Sequence, residues 1–352
     1  MRVAAALAGL CIALASAAAF VVFFPWHVPT PVFGETVALA GTDVSRLVWP
    51  PDEVKAVYSY TDHGARTYYK AGVDYEVTDT GIRRTANSPI YDFLTYRVET
   101  TADGRFEWRD EPRNPPVVMW HHVYVDYVAD LPARDEIPAK RTAPVVGRVV
   151  VAGDSIVAGI NAVIDRGTTQ DAWLNLITDH FADRFQVESM GWDGASLDTL
   201  QHTIETLLQA RPIPAVLIIA LGMNDHTLGD RRLPAFESLL EEIVGKARSV
   251  GVSVILVGFP HSNKQWISYS AEQVSSFNDA IERVALKRDV PFVDIAAAFK
   301  RARTFKSTIE LFGDNYHHPG SYGQRLYFSE VLPYLLTEPV SAAQVPAFIR
   351  LP

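Results

Sequence analysis

Residues 149–155 read Val-Val-Val-Ala-Gly-Asp-Ser, an apolar run that ends abruptly in small polar residues. The β-branched residues predict a buried strand, and Gly153-Asp154-Ser155 predicts the turn that ends it. A serine on such a turn lies where an α/β fold exposes a nucleophile. The same serine also suits the N-cap of a following helix, so the tripeptide alone leaves both roles open.

The C-terminal part of the chain continues this pattern, with apolar strands separated by helices of ten residues or more. Strands are predicted at 145–152, 185–190, 215–221, 252–259 and 291–295, and helices at 171–185, 196–210, 233–250, 271–287 and 322–336. This alternation predicts right-handed crossovers and a parallel sheet that is covered by helices on both faces. Ligands bind beyond the carboxyl ends of the strands in such sheets.

Three further polar blocks accompany the first. The chain reads Gly-Trp-Asp-Gly at 191–194 and Gly-Met-Asn-Asp at 222–225, directly after the second and third predicted strands, and Asp-Asn-Tyr-His-His-Pro at 314–319. The carboxyl ends of neighbouring parallel strands meet at one edge of a sheet. We therefore expect the blocks after these strands to lie beside Ser155.

In this order the four blocks resemble the SGNH/GDSL hydrolase family, over about residues 145–338. The resemblance implies a three-layer, flavodoxin-like α/β fold and a serine ester hydrolase that works through an acyl-enzyme. By the same resemblance Ser155 is the nucleophile, and Asp314 orients a histidine base. The oxyanion hole consists of the backbone N–H groups of Ser155 and Gly194 and the side-chain amide of Asn224. This chemistry requires no metal or organic cofactor.

Two histidines compete for the role of the base. In the family the base is the histidine of an Asp-x-x-His motif and is usually followed by proline. Counting from Asp314 selects His317, whereas the His-Pro pair selects His318. We favour His318, because Pro319 suits the first turn of the closing helix. A metal site on the two histidines is a further alternative, which we disfavour because no third ligand with suitable spacing is evident.

Other residues of the blocks also have alternatives. Gly191 is the alternative to Gly194 as an oxyanion donor. The family usually has asparagine five residues before the second glycine, where this chain has Ser189. Asp154 and Asp225 flank the key residues, and we expect them to hold loops by accepting backbone N–H bonds.

The N-terminus carries an apolar run, residues 3–24, without a charged residue. About 20 such residues span a bilayer as a helix, so residues 1–24 are predicted to be a signal anchor. A signal peptide cleaved near Ala15-Ser16-Ala17 is the alternative. Either prediction implies an exported protein, anchored on the extracytoplasmic side of the membrane or secreted. Cys11 is the only cysteine, which excludes disulfides and cysteine-ligated metal sites from the rest of the chain.

Residues 30–131 are predicted to form a smaller β-sandwich-like domain, because short strands rich in Tyr, Val and Thr alternate with Gly and Asp turns. Residues 132–144 are the predicted linker to a hydrolase domain at 145–352. Strands are expected at 54–60, 66–69, 75–79, 97–101, 106–109 and 117–127. Aromatic residues that could bind sugars, but for which core positions are expected, are Trp49, Trp108, Trp120 and His121-His122.

The formal net charge of −9 disfavours nucleic acid as a partner. The combined features predict an exported esterase that removes acetyl-type groups from a carbohydrate or another envelope ester. A lipase or thioesterase and an acyltransferase on small acyl esters are alternatives. A non-catalytic glycan-binding protein is a third, which the intact set of Ser155, Asn224 and Asp314 with its histidines disfavours.

Overall fold

The computed structural model describes residues 27–61, 64–98, 100–106, 118–132, 136–160 and 171–352. The predicted signal anchor at 1–24 lies outside these ranges, as do Trp108 and most of the strand predicted at 106–109. Within the described ranges, no helix is both long enough and apolar enough to cross a bilayer.

The N-terminal part of the chain is rich in β-strands, as predicted. Its strands are β1 (His27–Val37), β2 (Ser45–Arg46), β3 (Glu53–Tyr60), β4 (Arg66–Tyr68), β5 (Tyr75–Thr78), β6 (Gly81–Arg84) and β7 (Val123–Pro132). They form a four-stranded antiparallel sheet of order β1-β7-β3-β4 and a three-stranded antiparallel sheet of order β2-β6-β5. Val57, Ile82 and Val125, which come from both sheets, belong to one buried apolar cluster. The two sheets therefore share a core.

Two predicted strands of this part differ from the structure. The described residues of 97–101 are outside regular structure, because the Thr101 N–H bonds to the carbonyl of Arg105 in a local turn. The strand predicted from residue 117 begins only at Val123, after a 3₁₀ turn at Val118–His121.

The C-terminal part contains the predicted parallel sheet. Its strands are β9 (Arg148–Gly153), β10 (Gln186–Gly191), β11 (Val216–Ala220), β12 (Ser253–Val257) and β13 (Phe292–Val293), with a preceding short strand β8 (Glu136–Ile137) outside the sheet. Within the described residues these five strands run parallel in the order β10-β9-β11-β12-β13. Every residue of β11 is buried. Since helices cover both faces of such a sheet, its central strands are continuous apolar runs, which made them predictable.

Helices separate and flank these strands. In the described residues they are α1 (Trp173–His180), α2 (Leu197–Gln209), α3 (Met223–Thr227), α4 (Leu233–Ser249), α5 (Ala271–Arg288), α6 (Ile295–Ala302), α7 (Thr308–Leu311) and α8 (Ser321–Val331). The strand predicted at 291–295 stops at Val293, because the next residue caps α6. The carboxylate of Asp294 accepts a hydrogen bond from the N–H of Ala297 at 2.8 Å.

The described residues of the segment predicted as a linker, 132 and 136–144, pack against the end of the chain. Strand β8 pairs antiparallel with β14 (Val340–Ser341), and the N–H of Lys140 donates to the carbonyl of Pro333 at 2.8 Å. Ile137 is buried in the same apolar cluster as the parallel sheet. The segment therefore extends the packed C-terminal part, while the domain boundaries themselves stay a prediction.

A buried ion pair joins the N-terminal strands to the C-terminal part. The ammonium of Lys306 lies 2.5 Å from a carboxylate oxygen of Glu35 on β1, and both side chains are almost completely buried. Lys306 also donates to the carbonyl of Thr36 at 2.8 Å. Glu35 accepts hydrogen bonds from the N–H of Val48 at 2.8 Å and from the hydroxyl of Tyr127 at 2.6 Å. Each buried charge is thus satisfied by protein groups, as burial requires.

We expect Lys306→Met to destabilise the protein by about 3–5 kcal/mol, because it leaves the carboxylate of Glu35 buried without a counter-charge. The double variant Lys306→Met/Glu35→Gln should lose less free energy of unfolding than the two single variants lose together. Chemical denaturation of the full chain measures both quantities.

The control for this cycle is Lys246→Met, which removes an exposed ion pair with Glu205 and Glu242. The free energy of unfolding of this variant should fall by about 1 kcal/mol or less. Additive losses at Lys306 and Glu35 would show that the two side chains do not stabilise each other.

Candidate active site

Small residues line the sheet edge beneath Ser155. Gly153, the last residue of β9, pairs with Gly191 on β10 and with Ala220 on β11. The turn after β9 folds back so that Val157 packs over this row. A Cβ at Gly153 would lie 2.0 Å from Val157, and one at Gly191 would lie 2.9 Å from it. The glycines therefore permit the turn that holds the buried side chain of Ser155.

The structure brings Ser155, His318 and Asp314 together. The Oγ of Ser155 lies 2.9 Å from Nε2 of His318, and Nδ1 of that ring lies 2.7 Å from Oδ2 of Asp314. An ionised carboxylate only accepts hydrogen bonds, so Nδ1 carries the proton and Nε2 accepts from the serine hydroxyl. The other oxygen of Asp314 accepts hydrogen bonds from the N–H groups of Tyr316 at 2.7 Å and His317 at 3.1 Å.

Asp314 and His318 each stabilise the charged form of the other. Burial raises the pKa of Asp314, but the neighbouring His318 and the hydrogen bonds to the carboxylate outweigh this effect and leave the pKa below its usual value. Burial lowers the pKa of His318, but Asp314, together with Asp154 and Asp193, reverses this and raises it. Asp314 is therefore ionised, and His318 is a stronger base than an ordinary imidazole.

His317 occupies a different position from the histidine that contacts Ser155. Its ring stacks on Trp266, with the ring centroids 4.5 Å apart and an interplanar angle of 14°, and lies 4.0 Å from the ring of His318. Burial lowers the pKa of His317 to about 3, so this imidazole is neutral near pH 7. Its Nδ1 is buried and has no hydrogen-bond partner among the described residues.

Asp314, His317 and His318 also form a group of potential metal ligands, with ligand atoms within 4.8 Å of one another. Asp314 is the third ligand that was not evident from the sequence spacing. The carboxylate and the ring of His318 already share a 2.7 Å hydrogen bond. A metal ion at this position would have to replace that bond, so the donor set fits the hydrogen-bonded arrangement better than a metal site.

The loops after β10 and β11 are tied to each other. Asn224, in the first turn of α3, donates a side-chain N–H to the carbonyl of Ala195 at 2.9 Å. The neighbouring carboxylate of Asp225 accepts from the N–H of Leu197 at 3.0 Å, and burial raises its pKa to about 6. Gly194 has a φ of +72°, a conformation that favours glycine. These bonds fix the amide of Asn224 relative to the loop of Gly194.

Other expectations for these loops can be compared with the structure. The carboxylate of Asp154 accepts from the N–H of Ile156 at 2.9 Å, so Asp154, like Asp225, accepts a backbone N–H as expected. The hydroxyl of Ser189 accepts from the N–H of Gly191 at 3.3 Å. Since that N–H already has a partner, Gly191 is the weaker alternative to the second glycine of its block.

The loop of Asp314 has supports that the sequence analysis missed. The side-chain amide of Asn263 donates to the carbonyl of Asn315 at 2.8 Å, and its backbone N–H donates to the carbonyl of Tyr316 at 2.8 Å. Asn263 and Trp266 belong to the segment that follows β12. Their position after a strand of the parallel sheet was the available signal, because it places them at the same sheet edge.

Three of the aromatic residues considered for sugar binding, His122, His121 and Trp49, have packing partners in the structure. His122 is fully buried, and its ring stacks near Phe93 at 5.9 Å. His121 stacks on Tyr91 with the ring centroids 3.9 Å apart. The indole of Trp49 is partly buried and donates to the carbonyl of Arg350 at 3.1 Å. His122 occupies the expected core position, whereas His121 and Trp49 are only partly buried.

A known protein family matches the part of the chain that carries this site. Residues 151–326, half of the chain, match the GDSL-like Lipase/Acylhydrolase family. Similar solved structures include TesA, at 22% identity over 53% of this chain and 96% of that chain, with a TM-score of 0.44. A lipolytic protein of the G-D-S-L family from Veillonella parvula has 20% identity over 53% of this chain and 97% of that chain, with a TM-score of 0.45. A variant of an acetyl xylan esterase from Geobacillus stearothermophilus has 17% identity over 56% of this chain and 98% of that chain, with a TM-score of 0.46.

Sequence comparison with curated proteins gives no match. On its family match and its site, the chain belongs to the GDSL-like lipase/acylhydrolase family and is a serine esterase.

Proposed function

We propose that Ser155 is the nucleophile of this esterase, His318 its general base and Asp314 the residue that orients the base. The observation that carries this assignment is the continuous chain of hydrogen bonds from the Oγ of Ser155 through the ring of His318 to Asp314. The carboxylate fixes the tautomer in which Nε2 faces the hydroxyl, and it stabilises the imidazolium that forms.

The reaction proceeds through two acyl transfers. Ser155 Oγ attacks the ester carbonyl carbon while Nε2 of His318 takes the hydroxyl proton. The tetrahedral intermediate collapses when the alkoxide leaves and takes that proton, so an alcohol departs and an acyl-serine remains. Water then attacks the acyl carbon and gives a proton to His318. When the acid leaves, this proton returns to Ser155.

The developing oxyanion is held by the backbone N–H groups of Ser155 and Gly194 and by the side chain of Asn224. An amide nitrogen carries two N–H donors. One N–H of Asn224 is bonded to the carbonyl of Ala195, which fixes the amide and leaves the second N–H for the substrate. Preorganised donors of this kind cost no reorganisation during the reaction.

The substrate in this proposal is an acetyl-type ester on a carbohydrate. Trp192 and Asp193 precede Gly194 in the same loop, and both are exposed, with 41% of the surface of Trp192 accessible. An indole face packs on the apolar face of a sugar ring, and a carboxylate accepts hydrogen bonds from sugar hydroxyls. Asp193 is close enough to help raise the pKa of His318. This loop therefore offers sugar-binding chemistry beside the base.

Export is part of the same proposal. It rests on the charge-free apolar run at residues 3–24, which would hold the esterase at the outer side of a membrane or direct its secretion. An acylated envelope carbohydrate is the substrate class that fits both this location and the exposed indole.

Ser155→Ala should abolish both labelling by a fluorophosphonate and hydrolysis of p-nitrophenyl acetate. Asn224→Ala should lower kcat by about 10²–10³, because one oxyanion donor is lost. Ser189→Ala, a serine on the neighbouring strand, should leave both readouts unchanged. Labelling that persists in Ser155→Ala would refute the assignment of the nucleophile.

His318→Ala should lower kcat for the same ester by about 10³ or more, since a general base contributes up to about 10⁴. His317→Phe preserves a ring against Trp266, so its kcat should stay within about tenfold of the wild type. Steady-state kinetics on both variants distinguishes the two histidines. An equal loss in the two variants would contradict the choice of His318.

Trp192→Ala should raise KM for an acetylated xylo-oligosaccharide about tenfold or more and leave KM for p-nitrophenyl acetate within about twofold, because only the sugar contacts the indole. Trp192→Phe, which keeps an aromatic face, should give a KM for the oligosaccharide between those of the wild type and Trp192→Ala. Hydrolysis of the oligosaccharide is measured by the release of acetate. Equal effects on both substrates, or a preference for p-nitrophenyl octanoate, would favour the lipase alternative, and acetyl transfer to an added sugar would favour the acyltransferase.

A further inference from the structure

The loop of Asp314 and His318 packs against the N-terminal part of the chain at Phe106. The N–H and the carbonyl of Phe106 each make a 2.9 Å hydrogen bond to the residues on either side of Trp266. The ring of Phe106 meets that of Tyr316 edge to face, with the centroids 4.7 Å apart. Phe106, Trp266 and Tyr316 form one buried apolar cluster. Phe106 thus lies against both the loop and the segment that supports it.

The apolar cluster of Phe106, Trp266 and Tyr316 contacts the base through the ring of His317. Trp266 stacks on His317, and the ring of His317 lies against that of His318. A second contact from the N-terminal part holds the backbone, because the N–H of Met119 donates to the carbonyl of Gly313 at 3.0 Å. The loop is therefore supported by the N-terminal part both at its start and at its aromatic face.

Such support matters because residues 314–318 lie in the connection between α7 and α8 rather than on a strand or a long helix. Side chains on loops hold a precise geometry only when packing and hydrogen bonds around them fix it. A shift of about 1 Å at a reacting group, caused by a distant change, can cost about 10²-fold in rate.

We infer that Phe106 is a positioning residue, through which the N-terminal part of the chain holds His318 at its distance from Ser155. The inference rests on the proposed role of His318 as the base. It implies that the segment matched by the family model, 151–326, lacks part of the structure that fixes its own active site. The residue that completes this structure comes from the β-rich part instead.

The test is Phe106→Ala in the full chain. We expect kcat for p-nitrophenyl acetate to fall about 10- to 100-fold while KM stays within about twofold, because the substrate contacts are unchanged and the base is displaced. The apparent pKa in the profile of kcat/KM against pH should also fall, since a loosened Asp314–His318 pair raises the pKa of the base less. Phe106→Leu keeps most of the apolar volume and should recover most of kcat.

Ile82→Ala is the matched control for a loss of stability. Ile82 has no exposed surface and lies in the core shared by the two N-terminal sheets. This variant should lower Tm as much as Phe106→Ala does but preserve kcat and the pH profile. Phe106→Ala with a lower Tm and unchanged kinetics would overturn the inference, and so would equal kinetic losses in both variants.

The proposed function has its own, separate outcome in this experiment. If Ser155→Ala retained activity, the assignment of the nucleophile would fail whatever the result at Phe106. If Ser155→Ala is inactive and Phe106→Ala is fully active, the catalytic assignment stands and only the positioning role fails. Should Phe106→Ala not fold, the kinetics of Phe106→Leu decide. A lower apparent pKa with a small loss of kcat would support the inference, and a wild-type kcat with a wild-type pH profile would overturn it.

Discussion

The carboxylate of Asp314 is the group on which the active-site loop depends. It has no exposed surface, yet it is ionised, so the protein must supply its hydrogen bonds. The loop does so by wrapping around it: the N–H groups of Tyr316, His317 and His318 all point to one oxygen, and the ring of His318 bonds to the other. Hydrogen bonds to a charged group each contribute about 1.5–3 kcal/mol. The same buried carboxylate therefore determines both the conformation of the loop and the orientation of the base.

Polar contacts between β1 and the C-terminal part lie on both sides of this loop in the sequence. Lys306, before the loop, pairs with Glu35 on β1. Arg325, after the loop, pairs with Asp171 at 3.1 Å and donates to the carbonyl of Phe33, also on β1. The segment that carries the base is thus connected to the same N-terminal strand at each end. The β-rich part is consequently integrated into the esterase fold rather than attached to its surface.

The sequence predicted the parallel sheet well, because strands such as β9 and β11 are buried on both faces and appear as continuous apolar runs. It also predicted which blocks meet, since parallel strands bring their carboxyl ends to one edge. The choice of His318 relied on the proline after it. Short elements such as α7 carry too little periodicity to be recognised.

Other features of the site are contacts between residues far apart in the sequence, which no local pattern predicts. Phe106 and Trp266 are separated by most of the C-terminal part, and so are Glu35 and Lys306. In the sequence each of these residues looks like an ordinary strand or loop residue, because its role depends on a partner that only the fold brings near. A phenylalanine after a turn and a lysine before a helix are common features that no pattern distinguishes.

The close packing of Val157 over Gly153 and Gly191 limits which substitutions the protein tolerates at these positions. The three residues come from two strands and the turn between the first strand and α1, yet they fill one space. A side chain added at either glycine would overlap Val157, and one at Gly153 would also lie 2.9 Å from the carbonyl oxygen of Ala220. Substitution of either glycine therefore requires a change at position 157 as well, because both glycines share the volume of one valine.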